Sequence, residues 1–132
     1  MYAIKTDLRR RVLHITMSGF FSPELSDAFI VDLRKAITDL SVDNGYFVLV
    51  DLRACALQSQ AMVEIFQQFI TARPHYAKRI ALLAGRSVSR MQARRLLVDD
   101  RVRMFDSVEE AARWVAPSPD GGLDRWRAPA SV

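Results

Sequence analysis

Tyr46 to Leu52, YFVLVDL, and Arg79 to Ala84, RIALLA, decide the fold of this chain. Each is a nearly unbroken apolar run bounded by turn residues: Asp43, Asn44 and Gly45 precede the first, and Gly85 closes the second. A strand with one face in water alternates apolar and polar residues, whereas a strand covered on both faces does not. Both runs therefore read as buried strands of a parallel sheet, the first of them central.

Upstream, Ala3 to Thr6 and Arg11 to Ser18 alternate apolar and polar residues on either side of the turn Asp7, Leu8, Arg9, Arg10, which predicts an antiparallel hairpin. Leu13, Ile15 and Met17 form its better-buried face, and His14, Thr16 and Ser18 the poorer one. Ser22, Pro23 and Glu24 open a helix, since the serine caps free backbone donors, proline presets φ and glutamate favours the positive end. Leu25, Phe29, Leu33, Ile37 and Leu40 give it an apolar stripe, with Asp27, Arg34, Lys35 and Asp39 opposite. A second helix opens at Gln58, Ser59, Gln60, carries Met62, Ile65, Phe66, Phe69 and Ile70 on one face, and stops at Pro74.

A third helix is expected over Ser87 to Leu97 and a short strand over Val102 to Phe105. The capping box Ser107, Val108, Glu109, Glu110 then opens a fourth helix whose apolar face is Val108, Ala111, Ala112 and Val115. The order β-β-α-β-α-β-α-β-α predicts one α/β domain over residues 1–116, a mainly parallel sheet with an N-terminal antiparallel hairpin. Residues 117–132, PSPDGGLDRWRAPASV, are rich in Pro, Gly and Ser and are expected as a flexible tail, with Trp126 its one anchor candidate.

At 132 residues the chain has room for one domain, and with 50 % apolar residues it can build a core. No stretch approaches the ~18 uncharged apolar residues of a membrane span, and the N-terminus lacks the apolar segment of a signal peptide, so a soluble cytoplasmic protein is expected. The single cysteine, Cys55, excludes an intramolecular disulfide or a redox pair. Two histidines and one cysteine without metal-ligand spacing, and the lack of any glycine-rich phosphate loop, predict no metal and no cofactor. The net charge of +4 brings an anionic partner into consideration beside an ordinary solvated surface.

Arg86, Arg90 and Arg94 fall four residues apart on one face of the third helix, with Arg95, Arg101 and Arg103 close by. Guanidinium groups in a row gain from shared carboxylates or phosphates, which Asp99, Asp100 and Asp106 can supply internally and an acidic partner externally. Nucleic acid is not favoured, because no aromatic residues interleave with the arginines. Ser59 reads first as a helix N-cap and second as a position where a phosphate would meet free backbone donors. Cys55 reads as a small core residue, and as a nucleophile only if His14 or His75 lies beside it. The uncovered edge of the first hairpin is a candidate homodimer contact.

The element order, with SGFFSPE (Ser18 to Glu24), VLVDLRACALQSQ (Val48 to Gln60) and LLAGRSVSRMQARRLL (Leu82 to Leu97), resembles the STAS domain of sulfate transporters and anti-sigma factor antagonists. It is most similar to bacterial STAS-like proteins grouped with the sporulation anti-sigma factor antagonist. The resemblance implies a regulatory module whose partner is a kinase or an anti-sigma-like protein. It also implies a switch by phosphorylation of a serine after the third strand, where Ser59 is the nearest serine. The Asp-Ser-Ser-Gly run usual there is absent, and Arg53 stands where a small polar residue is common.

Two functions follow. One is a protein-interaction module rather than an enzyme, using Ser59 with Arg53, Gln58, Gln60, Arg86, Arg90 and Arg94. The other is a carrier or enzyme for a small anion, nucleotide or lipid, using the crevice at the carboxyl ends of the strands, with Arg53, Gln58 and Arg86 at its mouth.

Overall fold

The computed structural model describes residues 1–40, 45–71, 77–85, 88–98 and 100–115. Pro74, His75, Arg86, Ser87, Asp99 and the expected tail lie outside these residues. The chain runs β1 (Tyr2–Asp7), β2 (Val12–Gly19), α1 (Pro23–Leu40), β3 (Phe47–Cys55), α2 (Gln60–Thr71), β4 (Arg79–Leu83), α3 (Val88–Ala93), β5 (Val102–Phe105) and α4 (Val108–Val115). These strands form one five-stranded sheet in sequence order. The hairpin β1–β2 is antiparallel, and every later pairing is parallel. β3 is central, as its apolar run predicts.

The hairpin turn ends at Arg11, whose φ of 60° is left-handed. In that conformation its carbonyl accepts the Phe47 N–H at 2.9 Å and its Nε donates to the Gly45 carbonyl at 2.8 Å, so the turn is tied to the entry of β3. Gly45 is itself left-handed at φ 74°, and a Cβ there would lie 3.0 Å from the Lys78 side chain. Glycine meets both demands.

One face of the sheet carries Leu13, Ile15, Met17, Val48, Ile80 and Leu82, buried against α1 and α2. Phe29 of α1 is the centre of this layer: its ring stands edge-on to Tyr2 at 5.0 Å, Phe21 at 5.8 Å and Phe66 at 5.7 Å. Such edge-to-face rings join both helices and the hairpin in one cluster. The other face holds a smaller cluster, in which Val12, Leu49 and Ala81 pack against Ala111 and Val115 of α4. There α4 overlies the β3–β5 side, while Ala3, Lys5 and Thr16 of the hairpin remain exposed.

Three expectations are corrected. Ile65 is 37 % exposed and Val63 is buried in its stead. At about 100° per residue Val63 lies some 60° from Phe66 around the helix, and Ile65 some 100°. The third helix ends at Ala93 and tightens into a 3-10 turn over Arg94–Leu96, leaving Leu97 partly exposed. Val108, the first residue of α4, is 40 % exposed, and the buried residues of that helix are Ala111 and Val115. The capping box forms in altered shape: Ser107 Oγ accepts the Glu110 N–H at 3.3 Å but donates to the Glu109 carboxylate at 3.0 Å.

Candidate functional site

Parallel strands bring the β2–α1, β3–α2, β4–α3 and β5–α4 junctions to one end of the sheet. β3 reaches further than its apolar run, because the β2–β3 register shifts between Thr16 and Ser18 and pairing resumes as Ser18 with Ala54 and Gly19 with Cys55. The extra residue projects the β3–α2 loop beyond the sheet.

Gln58 organises that loop. Its side-chain amide donates to the Gly19 carbonyl at 2.8 Å and the Ala56 carbonyl at 2.7 Å, and its Oε1 accepts the Phe21 N–H at 2.9 Å. Its own backbone is held by Gln92 of α3, whose Oε1 accepts the Gln58 N–H at 2.7 Å and whose Nε2 donates to the Gln58 carbonyl at 2.8 Å. The β2–α1 and β3–α2 junctions and helix α3 are thus tied together by two primary amides. Gln58 is a structural hub, and Gln92 is the residue that sequence reasoning missed. No local spacing signals a pair 34 residues apart.

Ser59 follows the clamp as the N-cap of α2: its Oγ accepts the Met62 N–H at 3.1 Å and its carbonyl accepts the Val63 N–H at 3.1 Å. The residue is exposed. Gln60, next in line, accepts from Arg95 at 2.6 Å. Around this loop Phe20 is 57 % exposed, Leu57 55 % and Met91 72 %.

The arginines are dispersed over separate partners. Arg53 makes a two-pronged pair with Asp51, Nε to Oδ1 at 3.0 Å and NH2 to Oδ2 at 2.8 Å, which holds the Asp51 carboxyl below its usual range. Arg90 pairs with Asp106 and donates to the Ala84 carbonyl at 3.3 Å. Arg94 is exposed in the 3-10 turn, and Arg86 lies outside the described residues.

Cys55 ends β3 half-buried, and burial pushes its thiol up to about 11. His14 pairs with Lys5 and Leu49, whereas Cys55 pairs with Gly19. Five residues of extended strand put these positions about 17 Å apart, so His14 does not activate the thiol. His75 lies outside the described residues. Among the described residues no three His, Cys, Asp or Glu side chains converge where an ion could sit, and no helix is long and apolar enough to cross a membrane.

A separate feature lies between the sheet and the helices. A cavity of about 70 Å³ is lined by Leu13, Ile15 and Val50 of the sheet, Leu33 of α1 and Phe69 and Ile70 of α2, among others, with Tyr46 at its wall. It runs along the strands beneath the helices, from Leu13 to Met17 of β2 and from Val48 to Leu52 of β3. The Tyr46 hydroxyl is uncharged at neutral pH, as a phenol is, and burial pushes it further up, to about 12.

No family model and no curated protein matches this chain. Among solved structures, it is similar to an uncharacterized protein of the DUF3478 family with a SpoIIAA-like fold from Shewanella loihica PV-4. The TM-score is 0.65 at 13 % sequence identity, over 88 % of this chain and 93 % of that one. The chain has the SpoIIAA-like fold, which is the fold that its resemblance to STAS domains implies.

The clamp predicts that Gln58→Ala and Gln92→Ala each cost about 1–3 kcal/mol in urea unfolding, since each strands buried or half-buried backbone groups. Both act on one loop, so the double variant should cost less than the two single losses added. Strict additivity would show that the two amides act independently. The raised thiol leaves on the order of one Cys55 in a thousand as thiolate at pH 8. Iodoacetamide should then label the folded chain at least a hundredfold more slowly than the urea-unfolded chain, with the rate climbing about tenfold per pH unit toward pH 10. Equal folded and unfolded rates would contradict a buried, protonated thiol.

Proposed function

We propose that this chain is a cytoplasmic regulatory module that binds a protein partner through the loop carrying Ser59 and the apolar side chains around it. One observation carries the reading: Phe20, Leu57 and Met91 stand exposed about a loop that Gln58 and Gln92 hold in place. Large apolar side chains grouped on a surface mark a contact for another molecule, and a loop already ordered loses little entropy on binding. By resemblance the partner is a kinase or an anti-sigma-like protein. Arg94, exposed on the 3-10 turn, suits a partner with surface carboxylates, whereas Arg53 and Arg90 are already paired with Asp51 and Asp106.

Ser59 supplies the control point. A phosphate on its hydroxyl would meet the free N–H groups that open α2, with Arg95 held one residue away on Gln60, so the helix tolerates the charge. The same charge beside Leu57 would oppose an apolar contact. Affinity capture from the cells of origin should then retain a defined protein on the wild-type chain and on Ser59→Ala. Ser59→Glu and Leu57→Asp should lose at least tenfold of it. Equal recovery on all four chains would remove this reading.

The cavity favours a second reading, in which the chain carries a small apolar molecule, the lipid branch of the small-ligand alternative. Its about 70 Å³ is roughly half the size of an apolar cavity that holds benzene, and a void lined almost wholly by hydrocarbon stays dry. Xenon or a short alkane, each smaller than benzene, should raise the melting temperature, and Val50→Leu, which adds a methylene to the wall, should stabilise the empty chain by up to about 0.8 kcal/mol and abolish the ligand effect. An unchanged melting temperature with every apolar probe would leave the void a packing defect.

A further inference from the structure

Among the described residues the sheet ends at β1, whose outer edge has no neighbour. The direction of its backbone groups follows from its first pair. The Met1 amine donates to the Ser18 carbonyl at 2.7 Å, and the Ser18 N–H donates to the Met1 carbonyl at 2.8 Å. An antiparallel ladder alternates bonded and non-bonded pairs. Ala3, Lys5 and Asp7 therefore bond inward to Thr16, His14 and Val12, and the N–H and C=O groups of Tyr2, Ile4 and Thr6 point outward. The same parity holds across β2, where the carbonyl of Arg11, an odd position, faces β3 and accepts the Phe47 N–H. Six main-chain groups thus form an uncovered row in a strand without proline, glycine or bulge, the pattern that templates pairing with another strand.

We propose that this edge pairs with the same edge of a second copy, antiparallel, about a two-fold axis through Ile4. Two identical strands related by a two-fold must oppose residues of equal parity, which leaves few registers. Centring on Ile4 sets Tyr2 against Thr6 of the partner copy and Ile4 against its counterpart, and all six outward groups are bonded. Centring on Lys5 would oppose two lysines at the closer, non-bonded spacing. Centring on Thr6 would run the pairing into the turn at Leu8. In the Ile4 register Lys5 faces Ala3 of the partner copy instead. Charge on α1 agrees with a second copy as the occupant. Tyr2 Oη donates to Asp32 at 2.6 Å, so that flank of α1 overlies the edge. Ala28, Lys35 and Asp39 recur on the same flank at helical spacing. An antiparallel copy then brings Lys35 of one chain toward Asp32 or Asp39 of the other, with the small Ala28 leaving room.

Sedimentation velocity over a micromolar concentration series tests the register. The wild type should sediment as a reversible dimer. Thr6→Pro removes an outward N–H and no hairpin bond, so it should yield a monomer with unchanged circular dichroism. Ala3→Lys, at an exposed position, sets two lysine pairs across the axis and should weaken the dimer roughly tenfold. If Thr6→Pro fails to fold, Ala3→Lys and an Ile4→Cys disulfide dimer in a Cys55→Ser background decide the matter. A monomer at every concentration, or a dimer that these changes leave intact, overturns the proposal.

Discussion

A strand in the middle of a sheet must satisfy hydrogen bonds along both edges and bury both faces, and β3 is where this chain meets that constraint. β2 and β4 lie in register on either side of it, with Val48 between Leu13 and Ile80 and Leu49 between His14 and Ala81. Val48 faces the α1–α2 layer and Leu49 faces α4. Helices must therefore be present on both faces. Parallel pairing in turn obliges each connection to cross the sheet and return, which collects the strand-to-helix junctions at one end. The Ser59 loop and its exposed apolar neighbours sit at that end for this reason.

The layers are unequal. Two long helices and the Phe29 ring cluster cover one face, and α4 with only eight residues covers part of the other. The short helix is held by polar means as well. Arg79 donates to the Trp114 carbonyl at 2.7 Å, and the guanidinium groups of Arg79 and Arg103 lie 5.3 and 4.9 Å from the Trp114 ring centre. A ring within cation–π range of two guanidinium groups offsets the small apolar contact of Ala111 and Val115. The hairpin beyond α4 stays open on that face, so its polar residues, Lys5 and Thr16, are those a wetted face requires.

The strands and the long helices were legible because their signals are local. Period-two alternation in β2, unbroken runs in β3 and β4, and the Ser22-Pro23-Glu24 start of α1 are each decided within a few residues. Burial on α2 was less legible, because a stripe drawn through Ile65 or through Val63 fits the spacing, and only the position of Phe66 against Phe29 selects Val63. The site was read in part. Ser59 as an N-cap follows from its place before an apolar stripe, but the clamp that fixes it depends on Gln92, and nothing in α3 marks a glutamine as the holder of another loop's backbone. The cavity was hidden for the same reason: a void is the result of how three surfaces fail to meet, and no single segment encodes it.

Arginines that are neighbours in sequence take separate partners in the fold. In sequence Arg90, Arg94, Arg95, Arg101 and Arg103 crowd one region and suggest a concerted anion site. In the fold they diverge. Arg90 goes to Asp106, Arg95 to Gln60, Arg101 to the carbonyls of Ala77 at 2.7 Å and Ile70 at 2.9 Å, and Arg103 to the Trp114 ring. A guanidinium bonded to a carbonyl or stacked on a ring does structural work while keeping its charge. Arg11, Arg79 and Arg101 each use that chemistry to close a loop or a helix end onto the sheet. Part of the net charge of +4 is therefore accounted for by arginines that hold backbone, without any anion to be bound. At the carboxyl end, by contrast, the large side chains left exposed are apolar: Phe20, Leu57 and Met91.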